Sequence, residues 1–158
     1  VSIALLHKGR LDQAVVFDPI RSEIFTASRG QGAQLNGYRI RVTKPRDLTE
    51  TVLATALPFK NKTQFGEYAM GLNKIFHECG DIRRGGSAAL DLAYVAAGRM
   101  DGYWERGIKS WDIAAGELIV REAGGLVTDF KGGNDPLHKG EIVAGSVKVV
   151  QGLVKHLK

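Results

Sequence analysis

A single cysteine, Cys79, occurs among the 158 residues of this sequence. One thiol excludes an internal disulfide framework and a cysteine-based zinc site, and it suits a reducing compartment. No apolar stretch approaches the ~18–20 residues that a membrane helix needs. The residues after Val1 lack the charged, apolar and cleavage regions of a secretory signal. His7, His77, His138 and His156 are scattered without metal-ligand spacing. Ser28, Ser87 and Ser110 lie in no G-x-S-x-G elbow, which removes the usual signature of a serine hydrolase. These absences lead us to expect a soluble, cytoplasmic protein without membrane contact.

Phosphate-loop signatures are also incomplete. In Gly30-Gln31-Gly32-Ala33-Gln34-Leu35, Leu35 stands where a dinucleotide fingerprint has its third glycine. In Gly80-Asp81-Ile82-Arg83-Arg84-Gly85-Gly86, Gly86 replaces the lysine of a Walker loop. Both stretches are expected to be turns.

What is present is an ordinary globular mixture, with 44% apolar and 25% charged residues. The length suits one domain with a sizeable core. Lys and Arg number 22 against 17 Asp and Glu, a net charge of +5. The basic residues are spread along the chain, which favours acidic partners only weakly. Val1 opens directly in a strand-like run, from which we expect the chain to begin inside a larger protein.

The first third reads as an antiparallel meander over residues 1–44. Strand segments Val1–Leu6, Ala14–Phe17, Glu23–Ala27 and Tyr38–Val42 are separated by Lys8-Gly9-Arg10, Asp18-Pro19 and Asn36-Gly37. Residues 51–158 alternate β and α. Short strands are expected at Val52–Thr55, Asp81–Arg83, Gly102–Glu105, Leu126–Thr128 and Glu141–Ala144. Apolar residues at helical spacing predict a helix from Phe65 to Cys79 and a last helix carrying Val150, Leu153, Val154 and Leu157. Ser87–Ala97 and Ile113–Glu122 are apolar on nearly all sides, as helices buried between layers are. The whole is expected to be one α/β unit.

Two segments carry candidate chemistry. Gly85-Gly86-Ser87-Ala88-Ala89 leaves backbone N–H groups accessible at a helix start, where a hydroxylated or anionic ligand can approach. A plain glycine turn with a serine N-cap fits the same residues. Trp111-Asp112-Ile113-Ala114-Ala115-Gly116 places a carboxylate at the head of an apolar helix, with Trp104 and Glu105 nearby in sequence. That acid suits either a helix cap or a Mg²⁺ ligand, an ion that takes few carboxylates and keeps several waters.

Together, Phe17-Asp18-Pro19 through Asn36-Gly37, Arg83-Arg84-Gly85-Gly86-Ser87-Ala88-Ala89-Leu90-Asp91-Leu92-Ala93, and Trp111–Gly116 running into Arg121-Glu122-Ala123-Gly124-Gly125 resemble the inositol monophosphatase family, in particular its bacterial extragenic-suppressor (SuhB-type) branch. The resemblance covers the whole chain but only the later part of the family's sequence. The family's upstream glutamate and its W-x-x-D-P-[LI]-D-G-T motif are absent; Asp18-Pro19-Ile20-Arg21 shares only Asp-Pro-Ile. The resemblance implies a layered αβαβα sandwich lacking its N-terminal part. It implies Mg²⁺-dependent, Li⁺-sensitive hydrolysis of inositol 1-phosphate or a similar monoester, and a homodimer. It gives Asp112 the role of metal ligand, Glu105 that of partner to substrate hydroxyls, and Gly86, Ser87 and Ala88 that of pocket wall. One carboxylate cannot hold two Mg²⁺ ions, so the isolated chain is expected to be inactive. Two alternatives follow from the same resemblance. One is binding to transcription machinery or RNA in ribosomal RNA antitermination, which Arg83-Arg84 would suit. The other is a broader sugar-phosphate or nucleotide-phosphate phosphatase, acting for example on fructose 1,6-bisphosphate or 3′-phosphoadenosine 5′-phosphate.

Overall fold

Tight turns organise the first sheet in a computed structural model that describes residues 1–59 and 61–157. Lys8 and Gly9 have φ of 49° and 73°, and Asn36 and Gly37 have 49° and 84°. Positive φ at both central residues matches the right-handed twist of the flanking strands. The sheet runs β1 (Ser2–His7), β2 (Arg10–Asp18), β3 (Glu23–Ser28), β4 (Gly32–Leu35) and β5 (Tyr38–Arg39), antiparallel throughout and in chain order. Two details differ from the sequence reading. Gly30–Leu35 is not all turn, since its last four residues form β4. The strand expected at Tyr38–Val42 pairs over only two residues, because after Ile40 N, which still donates to Ala33 O, the chain leaves β4 and Val42 N donates to Ala123 O.

Alternation along these strands sends Ala14, Val16, Phe25, Ala27 and Ala33 to the inner face, where all are buried. The opposite face carries Ile3, Leu5 and Ile24, which are 60%, 53% and 40% exposed.

The second sheet has the order β7-β6-β8-β10-β9. Its strands are β6 (Val52–Thr55), β7 (Asp81–Arg83), β8 (Gly102–Arg106), β9 (Leu126–Thr128) and β10 (Glu141–Gly145). β6 is parallel to β7 and β8, whereas β10 is antiparallel to β8 and β9. Both faces are covered, so its strands read as unbroken apolar runs. Ala54, Tyr103, Ile142 and Ala144 point into the core between the sheets. Leu53, Trp104 and Val143 point into a second core with Ile75, Val149 and Leu153.

α2 (Ala88–Ala96) and α3 (Ser110–Glu122) fill the space between the sheets. They approach closely: a Cβ on Gly116 would lie 2.5 Å from the Cβ of Leu92. α1 (Phe65–Phe76) and α5 (Val147–Leu157) cover the far face of the second sheet, and the short α4 (Pro136–Lys139) precedes β10. The described residues therefore stack as β, α, β, α, an α/β sandwich. The further helical layer of an αβαβα sandwich, on the face of Ile3, Leu5 and Ile24, is not among them. No described helix is long and apolar enough to cross a membrane.

The loop from β9 to α4 closes on a buried ion. Asp129, with no exposed surface, accepts from the Lys131 and Gly133 amides at 2.8 Å each and from Lys139 Nζ. Burial alone would raise its pKa, but Lys139 and the two amides outweigh burial and hold it below the ordinary range.

Candidate active site

Packing α2 against α3 brings both N-terminal ends to one rim of the inter-sheet layer, beside the end of β8. A cleft of about 670 Å³ opens there. Gly86, Ser87, Ala88, Glu105 and Asp112, the five residues singled out from sequence, all line it. Two helix N-termini at one cleft favour an anion, because their first amide N–H groups lack intrahelical acceptors.

The Gly85–Ala89 segment is a capped glycine turn that also borders the cleft. Ser87 caps α2, accepting from Leu90 N at 3.4 Å, and it also faces the cleft. Gly86 sits at φ 93°, a conformation that glycine adopts without strain. For Asp112 the cap reading fails. It lies in the first turn of α3, whose N-cap is Lys109, and no side chain caps that end. The half-buried residue lines the cleft instead.

Sequence proximity of Trp104, Glu105 and Trp111 does not become an aromatic wall. Trp104 is fully buried on the opposite side of β8, among the residues that meet α5. Trp111 is 69% exposed. A strand has a period of two, so the aromatic that shares a face with Glu105 is Tyr103. The Tyr103 hydroxyl donates to Glu105 Oε2. Burial first, and then Glu105, push the phenol far above its ordinary pKa, with smaller contributions from Asp91 and Asp112.

Asp91 belongs to a motif that carries the family resemblance, but no role for it follows from the sequence. It occupies the first turn of α2, lines the cleft and is only 3% exposed. Its carboxyl fills the space beside Gly85, where a Cβ would fall 2.1 Å from Oδ1. Burial, reinforced by Glu105 and only partly opposed by Arg84, pushes its pKa up to about 6. The signal was present: Asp91 is the one charged residue in Ala88–Ala96. Uniform apolarity of the flanking positions masked it.

Asp112, Glu105 and Asp91 are the hard oxygen donors that a divalent ion such as Mg²⁺ prefers. Among the described residues, however, no group of three or more His, Cys, Asp or Glu side chains is arranged to hold a metal. The donor chemistry fits such an ion, and the ligand set is partial.

Other sequence candidates have partners of their own, although Asp18 and Arg84 also border the cleft. Gly30 N and Gly32 N each donate at 2.8 Å to the Glu122 carboxylate, so these amides are already taken. Asp18 ends β2 and accepts from Ile20 N, Arg21 N and Arg21 Nη1, a turn-closing role. His138 pairs with Asp135 and His156 with Glu78. Arg83 and Arg84 do not form one basic patch. Arg83 pairs with Asp81 at 2.5 Å, whereas Arg84 lines the cleft with its guanidinium 5.2 Å from the Phe59 ring centre.

Known proteins share this sequence and fold. The chain is 58% identical over 158 residues to the protein named Nus factor SuhB of Escherichia coli K12, and 54% identical to that of Vibrio cholerae, covering all of itself and 59% of each. It thus spans about three fifths of the length of these relatives. The extragenic suppressor protein suhB from Bartonella henselae superimposes with a TM-score of 0.95 at 48% identity, over 99% of this chain and 60% of that one. An inositol monophosphatase from Anabaena does so at 0.90 and 36%, over 99% and 64%. The model of the inositol monophosphatase family matches residues 1–158. A match running the full length of the chain, joined to a fold shared with solved members, means that the chain belongs to the inositol monophosphatase family.

Proposed function

We propose that this chain is the later part of a Mg²⁺-dependent phosphatase that hydrolyses inositol 1-phosphate or a similar phosphate monoester. One observation carries the reading: Gly86, Ser87 and Ala88 at the head of α2, Glu105 on β8 and Asp112 in the first turn of α3 converge on a single cleft headed by two helix N-termini. In this scheme the phosphate faces the amino ends of α2 and α3, where backbone N–H groups stabilise its charge. Gly86 and Ala88 keep the wall low enough for a ring to approach. Glu105, oriented by the Tyr103 hydroxyl, accepts from a ring hydroxyl. Asp112 would hold part of the Mg²⁺, which when bound offsets phosphoryl charge and lowers the pKa of a water. The remaining ligands would come from sequence outside these 158 residues, so the isolated chain is expected to release no phosphate above background.

The test is Asp112→Asn in the full-length protein, assayed for Mg²⁺-dependent phosphate release from inositol 1-phosphate. A loss of at least ~100-fold is expected, since even groups behind a metal ligand cost 10–100-fold when removed. Undiminished turnover would overturn the assignment.

A second reading is favoured by the name of the relatives at 58% identity, Nus factor. In it the protein acts as a binding partner of the transcription machinery. Asp112→Asn would then leave binding intact, and binding that rests on phosphate contacts would weaken steeply with salt.

A further inference from the structure

Glu105 is not the only acid placed to read a ligand in this cleft. Asp91 is 97% withdrawn from solvent and lines the same cavity. Its carboxylate makes no hydrogen bond with any described residue; its own amide is spent on Ser87 O, within the helix. Buried carboxylates are ordinarily satisfied by amides, hydroxyls or cations, and leaving one open is costly. Asp129 shows how this chain satisfies one when only structure is served, with two amides and a lysine. The Asp91 position is moreover built into the backbone. Its Oδ1 fills the volume that any side chain on Gly85 would need, so the loop before α2 and the carboxyl are shaped to each other.

The surroundings decide what such a group would take. Asp91 lies in the first turn of α2 and within the field of Arg84, and both offset its pull on an ammonium or guanidinium ligand. A neutral hydroxyl meets no such opposition and can both donate to and accept from a carboxyl. Tyr103, which already donates to Glu105, places the two acids on one side of the cavity. We propose that Asp91 is a specificity-determining residue which, beside Glu105, recognises a hydroxyl of a polyol phosphate. The proposal rests on the phosphatase reading and deepens it. It assigns discrimination between a polyhydroxylated leaving group and a plain one to a residue on α2.

The test uses the full-length protein with Asp91→Ala and Asp91→Asn, and two substrates, inositol 1-phosphate and phenyl phosphate, the second lacking any ring hydroxyl. The readout is the ratio of kcat/KM for inositol 1-phosphate to that for phenyl phosphate. A lost hydrogen bond to a charged group predicts a fall of about tenfold or more in Asp91→Ala, carried mainly by KM. Asp91→Asn, which keeps an acceptor and a donor, should recover part of it. A ratio within twofold of wild type in Asp91→Ala would overturn the proposal, whatever happens to absolute rates. If the wild-type protein releases phosphate from neither substrate, the phosphatase reading fails instead. Calorimetric binding of myo-inositol then decides the point. Weaker binding by Asp91→Ala than by wild type supports the role of Asp91, and equal binding, or none by wild type, overturns it.

Discussion

Asp91 and Asp129 are both buried aspartates, and each presses its carboxyl against a glycine that has no room for a Cβ. The distances are 2.1 Å from Gly85 to Asp91 Oδ1 and 2.6 Å from Gly133 to Asp129 Oδ2. Their pKa values nevertheless move in opposite directions, up to about 6 for Asp91 and down for Asp129. Burial is similar, so the hydrogen-bond partners decide the sign. Lys139, Lys131 N and Gly133 N converge on Asp129 and stabilise its charged form. Asp91 meets an acid, Glu105, and a basic group that only partly compensates. One loop uses its acid to hold itself shut, and the cleft keeps its acid available. Groups that cost stability without structural return are a mark of binding sites.

The comparison can be broken most severely at Asp129. Asp129→Ala leaves two inward amides and Lys139 without their acceptor, and should cost about 3 kcal/mol. For a chain of this length that is a fall of roughly 6–12 °C in melting temperature. A smaller loss than that given by an exposed control such as Asp12→Ala would show that the loop does not depend on its acid.

Asp91→Asn should act the other way. At pH 7 the unpaired carboxylate is ionised in both states but disfavoured only in the folded one. Replacing it should stabilise by about 1–3 kcal/mol, the lower end allowing for water in the cleft. The pH dependence carries the sign. Asp91 ionises at 3.8 in the ordinary case and at about 6 in the fold. The folded state therefore holds the proton more tightly, and the penalty is absent below about pH 4, grows from there to about pH 6 and is complete above it. Thermal melts of the two proteins should coincide near pH 3.5 and separate by several degrees at pH 7. A gap that is constant with pH would mean that packing, not charge, distinguishes the variants. Asp129 has the reverse dependence: its stabilisation is present above the ordinary carboxylate range and is lost as pH falls through its lowered pKa.

The smallest effect is expected at Ser87. Its capping bond is long, 3.4 Å, so Ser87→Ala should cost only about 0.5 kcal/mol, at the low end for N-caps. A larger loss of substrate affinity than of stability would show that its hydroxyl serves the cleft more than the helix.

Sequence reading reached far in the parts governed by neighbours. Asn36-Gly37 announced its hairpin, and Val52–Thr55 and Asp81–Arg83 appear with the limits expected of them. The buried character of α2 and α3 followed from apolar residues on all their sides, because a helix with no polar face has to lie between layers. Short-range signals failed where pairing partners set the outcome. β4 was hidden by the glycines at its start, Gly30 and Gly32, and the short helix Pro136–Lys139 depends on a loop tied to Asp129. The cleft residues were found individually, but the wrong aromatic was placed beside Glu105. Trp104 and Trp111 are near it along the chain, and only the pleat of β8 turns Trp104 away and Tyr103 toward it.

Composition, turn chemistry and periodicity determined that this chain is layered α/β and that two of its helices are buried, and the family resemblance of its motifs singled out Gly86, Ser87, Ala88, Glu105 and Asp112. Tertiary structure decided that these five share one cleft, that Asp91 joins them, and that two equally buried aspartates have pKa values shifted in opposite directions. The physical reason is range. Turn and helix preferences are fixed within a few residues, whereas the charge state of a carboxyl depends on which amides, cations and acids the fold brings to it from far along the chain.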